Sequence, residues 1–126
     1  MSPSTREYLQ HILDEAVYLQ ASSTSIGKAE FVQDETLKRA YVRSLEIIGE
    51  AAKKIPLSLC QKYSGIEWRL IAGMRDGATP LLSEYRLIHN YFGVDYDIVW
   101  DVITYKIPAL ETEIRTILKK EYGVDR

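Results

Sequence analysis

The sequence predicts an all-α fold, an antiparallel helical bundle, and three observations predict it. Apolar residues recur at three- and four-residue spacing along most of the chain. No segment alternates long enough to make a strand. Cap residues stand at the starts of the periodic stretches. The 126 residues suit a single domain, residues 1–126, with a core that needs no covalent staple.

The first helix starts near Ser2-Pro3 or Ser4. Pro3 suits a first helical position, and Ser4 with Glu7 has the form of a capping box. Leu9, Ile12, Leu13, Ala16 and Val17 follow at helical spacing. The run "ASSTSIGKAEF" then reads as loop. A second helix opens on Asp34 and carries the stripe Leu37, Tyr41, Leu45, Ile48, Ala52 and Ile55, with Pro56 as its stop. Gly49 inside it suggests a close helix approach. The segment "PLSLCQKYSG" has room for a turn of helix.

A third helix is expected from Ile66 to Asp76, with Trp68, Ile71 and Ala72 inward and Gly77 as its end. Thr79-Pro80 reads as cap and first position of a fourth, running to Phe92 and stopped by Gly93. Asp95 or Asp97 caps a fifth, with Ile98, Val99, Val102 and Ile103 apolar. Pro108 opens the last, which uses Leu110, Ile114, Ile117 and Leu118.

Composition excludes several classes. Cys60 is the one cysteine, so no internal disulfide forms, which fits a reducing cytoplasm. No apolar run is long enough to span a membrane, and "MSPSTREYLQ" lacks the features of a signal peptide. A net charge of −2 gives no general nucleic-acid signal, so any RNA contact must be local. There is no Gly-rich phosphate loop, no H-E-x-x-H and no C-x-x-C, and two distant histidines with one cysteine do not suggest a metal site. No cofactor is implied.

What remains is "RLIHNYFG". Arg86 and His89 are three apart, which would place them on one helix face, and Tyr91 is two residues further on. A histidine moves protons near neutral pH, and an arginine holds a phosphate through paired N–H groups. One takes the 2′-hydroxyl proton and the other neutralises charge on the phosphate, which is what RNA cleavage without a metal requires. On spacing alone, a surface arginine and a half-buried histidine in a bundle is the stronger reading. Glu46 and Glu50 read as solvated helix charges.

Three blocks change the balance: "RSLEIIGEAAKKIP" (43–56), "WRLIAGMRD" (68–76) and "RLIHNYFGVDYDIVWDVI" (86–103). In this order they closely resemble the HEPN domain, in its small stand-alone HepT-like branch. The resemblance implies a helical bundle that forms a homodimer. It implies a metal-independent ribonuclease toxin acting on RNA such as tRNA or mRNA. It also implies a minimal nucleotidyltransferase antitoxin, which transfers AMP from ATP onto a tyrosine of the motif. By the resemblance the catalytic histidine is His89 and the modified tyrosine is Tyr91.

The family's arginine stands with four to six residues between it and its histidine, where this chain has Glu84, Ser83 or Leu82. Residues 77–85 look like an insertion. Without them, Arg75 would precede His89 by four intervening residues. The catalytic arginine is then Arg75 by its neighbours, or Arg86 as a substitute that binds RNA phosphate. In one unbroken helix Arg75 and His89 would lie about 21 Å apart along the axis. The insertion keeps a different class open: a catalytically impaired HEPN module that binds nucleotide, RNA or a partner. A plain dimeric scaffold is a third reading.

Overall fold

The computed structural model describes residues 3–75, 88–89 and 93–124, giving the backbone alone at Arg75, Ile88, His89 and Gly93. The fold is all-α. Seven α-helices lie among the described residues: α1 (Thr5–Ser23), α2 (Lys28–Gln33), α3 (Glu35–Lys53), α4 (Leu57–Lys62), α5 (Trp68–Ala72), α6 (Tyr96–Tyr105) and α7 (Ile107–Tyr122). A 3-10 turn, Gly73–Arg75, continues α5. Two short strands, β1 (Ile88–His89) and β2 (Gly93–Val94), pair antiparallel.

The caps form as the sequence indicates. The Ser4 hydroxyl accepts from the Glu7 N–H at 3.2 Å, and the Glu7 carboxylate accepts from the Ser4 N–H at 3.0 Å. These bonds hold the Glu7 carboxyl below its usual range, with nearby His11 adding a smaller effect of the same sign. Asp34 accepts from the Leu37 N–H at the start of α3. Asp95, rather than Asp97, caps α6, accepting from the N–H groups of Asp97 and Ile98. Pro108 falls in the first turn of α7. That helix ends on Gly123, whose φ of 67° is the left-handed conformation a side chain would strain.

The core is centred on α1, which packs against both α3 and α7. Ser22 of α1 bonds Tyr41 of α3, while Glu15, earlier in α1, bonds Ser44, later in α3. The two helices therefore run antiparallel. Leu9, Ile12, Leu13, Ala16 and Leu19 join Tyr41, Leu45, Ile48 and Ile55 in one core, and Leu110, Ile114, Ile117 and Leu118 close its third side. The periodic stripes read from the sequence are thus the buried faces.

Two expectations are corrected. The run after α1 is not all loop, because α1 continues to Ser23 and α2 begins at Lys28. Six residues are too few to hold a helix by propensity. What holds α2 is Phe31, fully buried, stacked on Tyr41 and in ring contact with Tyr96 and Trp100. The helix expected over 80–92 is also corrected at residues 88–89, which are extended and paired with 93–94. Ile88 pairs with Val94 across the ladder, and such β-branched residues suit a strand, so pairing overrides a short segment's helical preference. The insertion expected at 77–85 lies outside the described residues.

Truncating Phe31 tests the packing of α2. Phe31→Ala should lower unfolding free energy by about 3–5 kcal/mol. Leu57→Ala, at a side chain 72% exposed, should change it by no more than about 0.5 kcal/mol, both measured by denaturant titration.

Candidate functional site

The candidate site is built on two elements: the 3-10 turn, which packs on α3, and the β1–β2 pair, which leads into α6, itself in contact with α3. On one side, α5 and the 3-10 turn pack along α3. Trp68 and Ile71 anchor α5 by burial, and the Trp68 indole N–H donates to the Tyr63 carbonyl at 3.0 Å. Met74 is nearly fully buried, so the chain is pinned one residue before Arg75. The third helix is thus shorter than 66–76, and tightens into 3-10 geometry where Met74 enters the core.

On the other side, His89 lies in β1 and pairs with Gly93 of β2. β2 runs directly into the Asp95 cap of α6. Tyr96, the first residue of α6, is held from two directions. Phe31 meets its ring edge-on at 6.2 Å between centroids, and the Lys38 ammonium of α3 sits 4.6 Å from its ring centroid. Lys38 also bonds Glu35 at 2.9 Å, and its side chain is only 13% exposed. Asp97, one residue on, pairs with Lys28 of α2 at 3.1 Å.

Arg75 and His89 therefore stand on separate elements, a 3-10 turn and a strand, and not on one continuous helix. The axial separation calculated for an unbroken helix does not apply. Arg86 and Tyr91 lie outside the described residues, as do the side chains of Arg75 and His89. His89 itself is extended in β1, so the helix expected there does not carry it.

Other reactive groups are in structural settings. His11 is exposed on α1, edge-on to Tyr8. Cys60 is half-buried, and burial pushes its thiol up, which disfavours the nucleophilic thiolate. Among the described residues no group of three or more His, Cys, Asp or Glu side chains is placed to hold a metal ion.

A cavity of about 160 Å³ lies beside Met74 and is lined also by Ile71, Val102, Ile107, Leu110 and Glu113. Burial, and secondarily the charge of Glu67, pushes the Glu113 carboxyl up. Sequence reading missed this cavity and the Lys38–Tyr96 contact. A lysine followed 58 positions later by a tyrosine has no local signature.

Comparison with known proteins fits this architecture. The family model described as "Ribonuclease HepT-like" matches residues 12–117. The chain belongs to the HepT-like ribonuclease family of the HEPN superfamily. It is 47% identical over 116 residues to a protein of Caldanaerobacter subterraneus subsp. tengcongensis named "Putative RNase", covering 92% of this chain and 96% of that one. A second relative, from Methanocaldococcus jannaschii and also named "Putative RNase", is 45% identical over 76% of this chain and 72% of its own. A third, named "Probable ribonuclease HepT" in Thermococcus cleftensis, is 34% identical over 94% of this chain and all of its own. No solved structure gives a significant match. Among the described residues no helix is long and apolar enough to cross a membrane.

Proposed function

We propose that this protein is a metal-independent endoribonuclease that works as the toxin of a toxin–antitoxin pair. The observation that carries the reading is the family match over residues 12–117, which spans Arg75, Arg86, His89 and Tyr91. The chemistry of those side chains supports it. The RNA 2′-oxygen attacks the neighbouring phosphorus, the bond to the 5′-oxygen breaks, and a 2′,3′-cyclic phosphate remains. His89 serves as acid–base or orienting group for the protons of that exchange, and Arg75 or Arg86 neutralises the phosphorane. Two copies of the chain form the cleft, each contributing its Arg and His.

The partner is a minimal nucleotidyltransferase. The Tyr91 phenol oxygen attacks the α-phosphorus of ATP, pyrophosphate leaves, and the phenol proton passes to a base. AMP on Tyr91 adds bulk and negative charge where the RNA phosphate must lie, and like charges repel.

A second reading has its own support in the nine residues, 77–85, between the two arginine-bearing blocks. They separate Arg75 from His89 in sequence and favour an impaired module that binds RNA, nucleotide or a partner. In that case expression of the chain alone should not arrest growth.

Purified protein should cleave RNA in EDTA and leave cyclic-phosphate ends, and His89→Ala should abolish this. Activity that needs added Mg²⁺, or survives His89→Ala, rejects the nuclease assignment. Incubation with the nucleotidyltransferase and ATP should add AMP-sized mass to the chain, and Tyr91→Phe should prevent it. Deleting residues 77–85 should leave a folded protein that cleaves at least as fast. Misplacement near 1 Å can cost about a hundredfold in rate, so the gain should be large if the extra residues displace Arg75. A folded deletion variant that cleaves more slowly would make 77–85 part of a working site.

A further inference from the structure

We infer that Lys38 is a positioning residue for His89, acting through Tyr96 and the β1–β2 pair. The kinetic part of this inference rests on the ribonuclease reading, and the structural part does not. His89 is four residues before its ladder partner Gly93, and the ladder ends at Val94, next to the Asp95 cap. The ladder has two residue pairs, too few to be stable alone. Among the described residues, the element it runs into is the N-terminus of α6, and that terminus helps set its place in the fold.

Tyr96 is one of the contacts that fix that N-terminus, beside the buried Val99 and the Phe31–Trp100 ring contact. The Lys38 ammonium lies 4.6 Å from the ring centroid, within cation–π range. Only 13% of the Lys38 side chain is exposed, and its ammonium also pairs with the exposed Glu35 carboxylate at 2.9 Å. Phe31 meets the same ring, and the Lys28–Asp97 pair lies more exposed beside it. Lys38 belongs to α3, the helix against which the 3-10 turn ending at Arg75 also packs. One helix thus sets the backbone bearing Arg75 directly and the strand bearing His89 through Lys38. Lys38 itself touches neither the RNA nor the reacting atoms.

The chain has only two histidines, so imidazole resonances of His89 and His11 can be assigned with one His89→Ala variant. Lys38→Met keeps the apolar stem and removes the charge. Lys38→Arg keeps a cation able to stack on the ring. In the full chain, Lys38→Met should move the His89 Cε1–H resonance and leave that of His11 in place, with Tm falling by no more than about 8 °C. Lys38→Arg should leave both at wild-type positions. In RNA cleavage, Lys38→Met should lower kcat by about tenfold to a hundredfold with KM within about twofold. Added to His89→Ala, it should cause no further loss.

An unmoved His89 resonance in folded Lys38→Met overturns the inference, and so does a shift of both histidines. Should Lys38→Met not fold, Tyr96→Leu removes the same contact and is held to the same outcomes. If cleavage persists in His89→Ala, the ribonuclease reading fails, and the resonances alone decide the role of Lys38.

Discussion

Phe31 stacked on Tyr41, with ring centroids 5.0 Å apart and planes 13° from parallel, is the contact on which the other elements depend. Tyr41 comes from α3, and its hydroxyl bonds Ser22 of α1 at 2.6 Å. Tyr18 of α1 meets the same ring edge-on, while Phe31 passes the contact to Tyr96 and Trp100 of α6. Both rings are fully buried. Burial is the main reason the Tyr41 phenol is pushed up, so it stays neutral and serves as a hydrogen-bonding aromatic. Four helices are cross-linked here by aromatic burial and one side-chain hydrogen bond. Most of the free energy is nonpolar, and the hydroxyl adds orientation.

Charge is used differently at the two ends of the bundle. Near the start of α6, the mostly buried Lys38 side chain places its ammonium over the Tyr96 ring while pairing with Glu35. At the far end, Glu121 of α7 accepts from Lys62 at 2.8 Å and from the Tyr63 hydroxyl at 2.7 Å. Those bonds hold the Glu121 carboxyl below its ordinary value and tie the α4 end to α7. Their stabilisation is present above the unfolded carboxylate range and fades as pH falls through the lowered folded value. The exposed Arg43–Glu50 pair, 3.5 Å apart, contributes little by comparison.

A metal-free phosphoryl exchange depends on distances more than on ligand sets. Arginine and histidine must meet one phosphate within hydrogen-bond reach, so the frame matters as much as the side chains. In the mechanism proposed for this chain, that frame is α3. It is capped by Asp34 and buried along Tyr41, Leu45, Ile48 and Ala52, and it supports both the 3-10 turn and Tyr96.

The sequence by itself determined the all-α class, the long helices α1, α3, α6 and α7, the cap at Asp34, and most of the buried stripe, and it narrowed the caps of α1 and α6 to alternatives that include Ser4 and Asp95. These are local properties, because a cap acts within three residues and a helix repeats every 3.6. The blocks 43–56, 68–76 and 86–103 also made the family legible, since the residue types and their order carry that signal. Tertiary structure alone decided α2, whose six residues stand because Phe31 finds Tyr41, and the Lys38–Tyr96 contact that joins helices distant in sequence. It also decided that His89 is extended opposite Gly93, where a helix was expected, and that Arg75 ends a 3-10 turn. The reason is common to all four: each arises from contacts between residues remote or paired across the chain, and no periodicity in one segment encodes its partner in another.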